Sequence, residues 1–86
     1  MEARLERGRS NYTAGYYQSA QKIALSLVRD GHASEEVWRL LGVASCQLGD
    51  GRRAVNALQQ LDAGSRAPLV SLCARHGIML DEPDLN

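Results

Sequence analysis

The clearest pattern in the chain is a stripe of apolar and small residues that recurs every three or four positions between residues 34 and 49. This spacing places the stripe on one face of a helix. Ser34 suits the N-cap of such a helix, and Gly49 suits its C-terminal end. Glu35 and Glu36 add negative charge to the first turn, where the helix dipole favours it. The stripe consists of Val37, Trp38, Leu41, Ala44, Ser45 and Leu48.

Similar stripes predict three more helices. After Asp50, a possible N-cap, the apolar positions are Ala54, Ala57, Leu58 and Leu61. The first helix is marked by Leu5, Gly8 and Tyr12, and it ends at the turn Ala14-Gly15. The helix after that turn, which Asp30-Gly31 closes, has the apolar positions Tyr16, Tyr17, Ala20, Ile23, Ala24, Leu27 and Val28.

A fifth helix is predicted after Asp62-Ala63-Gly64, with Ser65 as its cap and Pro68 in its first turn. Gly77 ends this helix, and Ile78 and Leu80 are expected to fold back onto the preceding helices. Residues 81–86 have the composition of a disordered acidic tail. The apolar face of the fifth helix is formed by Leu69, Val70, Leu72 and Cys73.

The chain also repeats itself at a constant offset of 34 residues. This offset aligns Gly8 with Gly42, Gly15 with Gly49, Ala20 with Ala54 and Leu27 with Leu61. A fixed period of this length is typical of stacked helix hairpins. We therefore expect one all-α domain over residues 1–80, with repeat one at 1–34, repeat two at 35–68 and a capping helix at 65–77.

The second unit resembles the tetratricopeptide repeat. The residues that carry the resemblance are Trp38, Leu41-Gly42, Gly49, Ala54 and Leu58. The resemblance implies a TPR-like α-α superhelix of two helix hairpins and a C-terminal capping helix. In such a fold, Gly42 and Ala54 are small so that the two helices of a hairpin can approach closely, and Trp38 fills the space beside them.

The chain departs from the family pattern at five positions. In the second unit Ser45 stands where the family prefers Tyr, Leu58 where it prefers Phe, and Arg66 where Pro is common. In the first unit Arg4 replaces the Trp and Asn11 the Tyr. The first helix is therefore expected to pack less tightly than the third.

Two narrower resemblances concern the whole chain. The segments 38–42, 48–50, 61–62 and 73–78 resemble the C-terminal TPR module of myxobacterial multidomain proteins such as Ser/Thr kinases. The size and the repeat plan also resemble the small type III secretion chaperones. The first resemblance implies a bacterial adaptor excised from a larger protein, and the second implies a chaperone.

Composition narrows the possible partners. With 44% hydrophobic and 23% charged residues, the chain has the composition of a globular domain. Ten basic residues balance ten acidic ones, so no basic excess is available for phosphate contacts, and nucleic acid is not an expected partner. No apolar stretch is long enough to span a membrane, and the first residues lack the apolar core of a signal peptide. A cytoplasmic location is expected.

Nothing in the sequence indicates catalysis. Cys46 and Cys73 lack a C-x-x-C spacing and occupy apolar helix positions, which predicts reduced, buried thiols. His32 and His76 have no third ligand at metal spacing, so neither a metal site nor a cofactor is expected. No nucleophile with a paired base and no phosphate-binding loop is present, and we expect that the chain is not an enzyme.

The resemblance implies a concave groove that is lined by the first helix of each hairpin and binds a protein or peptide. A peptide or helix that carries a carboxylate and an apolar side chain would suit such a groove. The alternative is a solvated face without a ligand. The predicted groove residues are Arg9, Tyr12, Thr13, Arg39, Val43, Cys46 and Gln47.

Some family members clamp a C-terminal carboxylate with Lys and Asn at fixed groove positions. Here the equivalent positions are Leu5 and Arg9 in the first unit and Arg39 and Val43 in the second, so that clamp is not expected.

Three hypotheses remain for the aromatic residues and for the assembly. One of Tyr12, Tyr16 and Tyr17 could anchor an interface, although at least one is expected to pack between helices. Trp38 is expected to be a core residue. Because two repeats are fewer than a stable array normally needs, an uncovered apolar face of the first or last helix could also be covered by a second copy in a homodimer.

Overall fold

The computed structural model describes residues 2–80, and within them it contains five helices and no strand. The helices are α1 (Glu2–Thr13), α2 (Tyr17–Arg29), α3 (Glu35–Leu48), α4 (Gly51–Gln60) and α5 (Ala63–Arg75). The all-α prediction is therefore confirmed. The predicted acidic tail at 81–86 lies outside the described residues.

Glycines form both hairpin turns, and side-chain caps begin α3 and α4, as the sequence predicts. Gly15 and Gly49 both have positive φ, 90° and 75°, a backbone conformation that residues with a Cβ rarely adopt. Ser34 caps α3 by accepting a hydrogen bond from the Val37 amide at 3.3 Å. Asp50 caps α4 by accepting one from the Arg53 amide at 3.2 Å.

Two helix starts differ from the prediction. The cap of α5 is Asp62, whose carboxylate accepts a hydrogen bond from the Ser65 amide at 3.0 Å, and not Ser65 itself. Because α5 then begins at Ala63, Pro68 is its sixth residue and lies inside the helix, not in the first turn. Tyr16 precedes α2, which has no side-chain cap, and is 64% exposed, so it is not part of the apolar stripe.

The core is built around α3, which packs against each of the other four helices. Helices α1, α3 and α5 lie side by side, and α2 and α4 complete the two hairpins. The buried side chains form two clusters, one of residues from α1, α2 and α3 together with Ala57 of α4, and the other mainly of residues from α3, α4 and α5. Trp38 is half-buried, not fully buried, and packs against both clusters. Leu48, at the end of the predicted stripe, is exposed.

Gly8 and Gly42 occupy equivalent close approaches between helices. A Cβ at Gly8 would lie 2.7 Å from Leu40 of α3 and 3.1 Å from Ile23 of α2. A Cβ at Gly42 would lie 2.8 Å from Leu69 of α5. The nearest neighbour is thus a leucine from the first helix of the next unit. Gly42 also faces the partner helix of its own hairpin, as expected, since a Cβ there would lie 3.4 Å from Ala57 of α4, but its tighter contact is with α5.

Ser45, which stands where the tetratricopeptide pattern prefers Tyr, has a physical explanation in the structure. Ser45 is fully buried, and its hydroxyl accepts a hydrogen bond from the Gln21 amide group at 3.0 Å. The same Gln21 nitrogen donates to the Asp50 carboxylate at 3.0 Å, so α2 is joined to α3 and to the cap of α4. A buried polar group is costly unless it is hydrogen-bonded, and this network satisfies both side chains.

The departure at Arg4 also has a role, because Arg4 joins α1 to α2. Its guanidinium donates hydrogen bonds to Asp30 at 2.8 Å and to the Ser26 hydroxyl at 3.2 Å. The Arg4 hydrogen bond lowers the pKa of Asp30 below its ordinary value of 3.8. A lowered folded-state pKa means that the pair stabilises the fold at neutral pH, and that this contribution is lost as the pH falls through the lowered pKa.

Cys46 and Cys73 form a disulfide bond that joins α3 to α5, with their Cα atoms 4.7 Å apart. Both residues are fully buried, as predicted, but the prediction of reduced thiols is wrong. The sequence spacing of 27 residues gave no indication that the two helices bring the residues together.

The segment after α5 turns back at Gly77, and Leu80 is 8% exposed in the cluster that also contains Cys46 and Leu58. The predicted return of Leu80 onto the helices is therefore confirmed. Within residues 2–80, no helix is both long enough and apolar enough to cross a membrane.

Candidate functional site

A cavity of about 340 Å³ lies between α1 and α3. Residues from the second half of α1 form one wall, and residues from the first two-thirds of α3 form the other. Leu40 is buried at the cavity and Arg39 is exposed. The lining residues are Arg9, Tyr12, Thr13, Glu36, Arg39, Leu40 and Val43.

A second cavity, of about 290 Å³, lies between α3 and α5. Arg39 and Val43 line both cavities, so the two are neighbouring halves of one surface, which we call the groove. Apolar side chains predominate in this second half. It is lined by Arg39, Val43, Leu61, Gly64, Ser65, Pro68, Leu69 and Leu72.

The charges of the groove leave one guanidinium uncompensated. Arg9 and Glu36 form an ion pair across the α1–α3 half at 3.3 Å, and both side chains are about half exposed. Arg39, at the boundary of the two halves, has no ion pair or hydrogen bond with any residue of the described chain. A carboxylate on a bound partner could therefore pair with Arg39 without displacing an internal partner.

Tyr12 is held in place from two sides. Its hydroxyl accepts a hydrogen bond from the Gln47 amide at 3.2 Å, and its ring packs against Tyr17 with the ring centroids 5.2 Å apart. A fixed aromatic side chain loses little conformational entropy on binding, which suits an interface anchor. Tyr16 is exposed outside the helices, and it is Tyr12 that lies in the groove.

The structure brings together five of the seven predicted groove residues, which line the α1–α3 half. Gln47 does not line either half and contacts the groove through Tyr12. Cys46 was assigned wrongly, because its side chain is fully buried and its sulfur is bonded to Cys73. The five residues that line the groove as predicted are Arg9, Tyr12, Thr13, Arg39 and Val43.

The wall that α5 contributes was not predicted from the sequence. Its residues Ser65, Pro68, Leu69 and Leu72 follow the spacing i, i+3, i+4, i+7, which marks one helix face. That spacing could have identified the wall. The 34-residue offset did not, because it breaks at Gly64, before α5 is complete.

A third cavity, of about 430 Å³, lies on the other side of the molecule between α2 and α4. Four of its six lining residues are polar or charged, and one of them, Arg53, pairs with Asp50 at 3.5 Å. This surface lacks the apolar walls of the groove and is the weaker candidate. It is lined by Leu25, Arg52, Arg53, Val55, Asn56 and Gln59.

The groove offers a guanidinium, a phenol, hydroxyls and apolar walls. Within the described residues, no group of three or more His, Cys, Asp or Glu side chains lies close enough to hold a metal ion. His32 and His76 are exposed at the ends of α2 and α5.

Comparison of the chain with protein-family models, with curated proteins and with solved structures finds no match to any of them.

Proposed function

We propose that the chain is a protein-interaction module whose groove binds a peptide or a helix of a partner protein, as in an adaptor or a chaperone. The observation that carries the proposal is the sharing of Arg39 and Val43 by the two cavities. Because both cavities are lined by these two residues, we take them as one continuous surface across α1, α3 and α5. A surface of this kind fits an elongated segment better than a compact small molecule.

The proposed partner segment carries an acidic side chain and an aliphatic one. The carboxylate would pair with Arg39, which is exposed and has no internal partner in the described chain. The aliphatic side chain would enter the α3–α5 half, where Leu61, Leu69 and Leu72 provide apolar walls. Tyr12 would pack against the segment at the other half.

The proposed architecture for this function is the TPR-like superhelix. Its support is that the 34-residue offset also relates close packing contacts. A Cβ at Gly8 would lie 3.1 Å from Ile23, and a Cβ at Gly42 would lie 3.4 Å from Ala57. Each residue of the second pair lies 34 positions after its counterpart in the first. The side-by-side arrangement of α1, α3 and α5 is the arrangement that such a superhelix requires.

We propose a bacterial cytoplasmic setting, in which the chain acts as an adaptor module of a larger protein or as a small secretion chaperone. The support is the likeness of segments 38–42 and 73–78 to such modules. A kinase or another domain encoded upstream would favour the adaptor, and a neighbouring secretion subunit would favour the chaperone.

The test uses a displayed library of peptides that vary in acidic and aliphatic positions. Peptides that pair an acidic residue with Leu or Ile are expected to be enriched. Arg39→Ala should weaken their binding in calorimetry by roughly tenfold to a hundredfold, since a hydrogen bond to a charged group contributes about 1.5–3 kcal/mol. The weakening should shrink at high salt, because Arg39 is exposed.

The matched control is Arg75→Ala, which removes an exposed guanidinium from the last turn of α5, outside both halves of the groove. Its affinity for the same peptides should equal that of the parent chain. Equal affinities of the Arg39→Ala variant and the parent chain would show that the groove assignment is wrong.

A homodimer is the second candidate, and the outer face of α5 favours it. Ala67 and Ala74 are exposed and Val70 is half-buried, and these residues lie on one face at spacings of three and four. Within the described residues α5 packs only against α3 and α4, so this face is available to a second copy. Light scattering at tens of micromolar should then give twice the monomer mass, and Ala67→Lys, at an exposed position of this face, should return it to the monomer mass. A monomer mass for the parent chain would exclude the dimer.

A further inference from the structure

The contact between α3 and α5 is close at the level of the groove. The Cα atoms of Cys46 and Cys73 are 4.7 Å apart, and both side chains are fully buried. One turn earlier in each helix, Gly42 leaves room for Leu69, whose methyl carbons would lie 2.8 and 3.0 Å from a Cβ at that position. The disulfide and this packed pair together fix the position of α5 on α3.

The disulfide lies directly behind the α3–α5 half of the groove. Val43, Leu69 and Leu72 line this half of the groove. Val43 precedes Cys46 by three residues, and Leu69 and Leu72 precede Cys73 by four residues and by one residue. The carbonyl oxygen of Leu69 is 3.9 Å from the Cys46 sulfur. The wall of the groove and the disulfide are therefore parts of the same helix contact.

Helix α5 is also the helix that can separate with the least disruption. Helices α1 to α4 form two complete hairpins, whereas α5 packs on no helix of the described residues other than α3 and α4. Leu69 and Cys73 are its only fully covered side chains. Elements at the end of a fold with few buried contacts are the ones that open locally.

We propose that the thiol–disulfide state of Cys46 and Cys73 regulates the groove. The disulfide holds α5 in place as one wall, and reduction allows α5 to move away from α3. This inference rests on the proposed function, since it takes the groove as the binding surface. It predicts that the wall of the α3–α5 half is formed in the oxidised protein and loosened in the reduced protein.

The chemistry is a two-electron exchange with a dithiol reductant. One thiolate of the reductant attacks one cysteine sulfur and breaks the S–S bond, and its second thiol then resolves the mixed disulfide. The two cysteines gain two electrons and two protons, and the reductant becomes a disulfide.

Because neither cysteine is exposed, the first attack requires α5 to open. The rate of reduction should consequently depend on how often α5 opens, and not only on the concentration of the reductant's thiolate. In the cytoplasmic setting proposed above, thiols are kept reduced, so the loosened groove would be the resting state and the formed groove would follow an oxidising change.

The test compares hydrogen exchange in the oxidised protein and in the protein reduced with dithiothreitol. Reduction, verified by two titratable thiols per chain, should accelerate exchange of the amides in 69–75 at least tenfold. Amides in 20–27 of α2 should change less than threefold. The matched control is the double variant Cys46→Ala/Cys73→Ala, which should show the fast exchange in α5 with and without dithiothreitol.

The groove itself is followed through the methyl resonances of Val43, Leu69 and Leu72 in the same two states. They should shift or broaden on reduction, while those of Leu27, in the core of the first hairpin, should stay in place.

An α5 that exchanges at the same rate after two thiols have formed would overturn the inference. So would equal acceleration in every helix, because the disulfide would then stabilise the whole domain and not one wall. Neither result depends on Arg39, so either failure is distinguishable from failure of the peptide-binding proposal.

Discussion

Replacing Trp38 by alanine is expected to lower the free energy of unfolding by about 3 kcal/mol, the lower end of the range for truncating a large aromatic residue. The lower end applies because Trp38 is half-buried. The loss is nevertheless large for this chain, since Trp38 packs against both clusters of the core. Its removal opens a space between the two hairpin cores, so that neither cluster can close the gap alone.

A small domain has only about 3–5 kcal/mol of stability in total, so the Trp38→Ala variant should be close to unfolding in water. Urea denaturation followed by circular dichroism measures the change, because the truncation also removes the only tryptophan. Tyr16→Ala is the matched control, as it truncates an aromatic residue that is 64% exposed and should change stability by less than about 0.5 kcal/mol. Equal losses in the two variants would show that Trp38 does not join the two clusters.

The helices and turns could be predicted from the sequence because their signals are local. Ser34 and Asp50 cap α3 and α4 through side chains that reach amides three residues away. Gly15 and Gly49 end helices where the backbone needs positive φ. The start of α5 was misjudged because Asp62 and Ser65 are both good caps, and the sequence alone does not say which of them the helix uses.

The disulfide could not be predicted because it depends on a tertiary contact. Cys46 and Cys73 meet only because α5 lies on α3, and their apolar positions are equally consistent with free thiols. The polar network around Ser45 was missed for a similar reason. Gln21 looks like a solvated residue of α2 until the packing of α2 on α3 buries it.

The candidate site was predictable where the repeat is regular. The resemblance implied a groove along the first helix of each hairpin, and Arg9 and Val43, which the 34-residue offset aligns, both line it. The α5 wall lies beyond the point where the offset breaks. The uncompensated charge of Arg39 also required the structure, because only the ion pair between Arg9 and Glu36 shows which of the two guanidiniums has no internal partner in the described chain.

A leucine in place of Gly42 is expected to lower the free energy of unfolding by about 3 kcal/mol. The first added carbon would already lie 2.8 Å from a methyl carbon of Leu69 and 3.4 Å from Ala57, so the rest of the side chain has no space. Overpacking of a core costs about 1–3 kcal/mol or more, and the gain in helix propensity of roughly 1 kcal/mol does not offset it. Gly64→Leu is the matched control, because Gly64 is an exposed glycine of α5 and should tolerate the change.

A double-mutant cycle identifies Leu69 as the cause of the Gly42→Leu effect. Leu69→Ala alone should cost about 2–5 kcal/mol, because the side chain is 3% exposed and its removal leaves a cavity. In the Gly42→Leu/Leu69→Ala double variant, the new leucine can occupy the vacated space. The double variant should therefore lose at least about 1 kcal/mol less than the sum of the two single variants, as measured by urea denaturation. Additive losses would mean that Gly42 and Leu69 are not in contact, and the close approach of α5 to α3, on which the α3–α5 half of the groove depends, would be wrong.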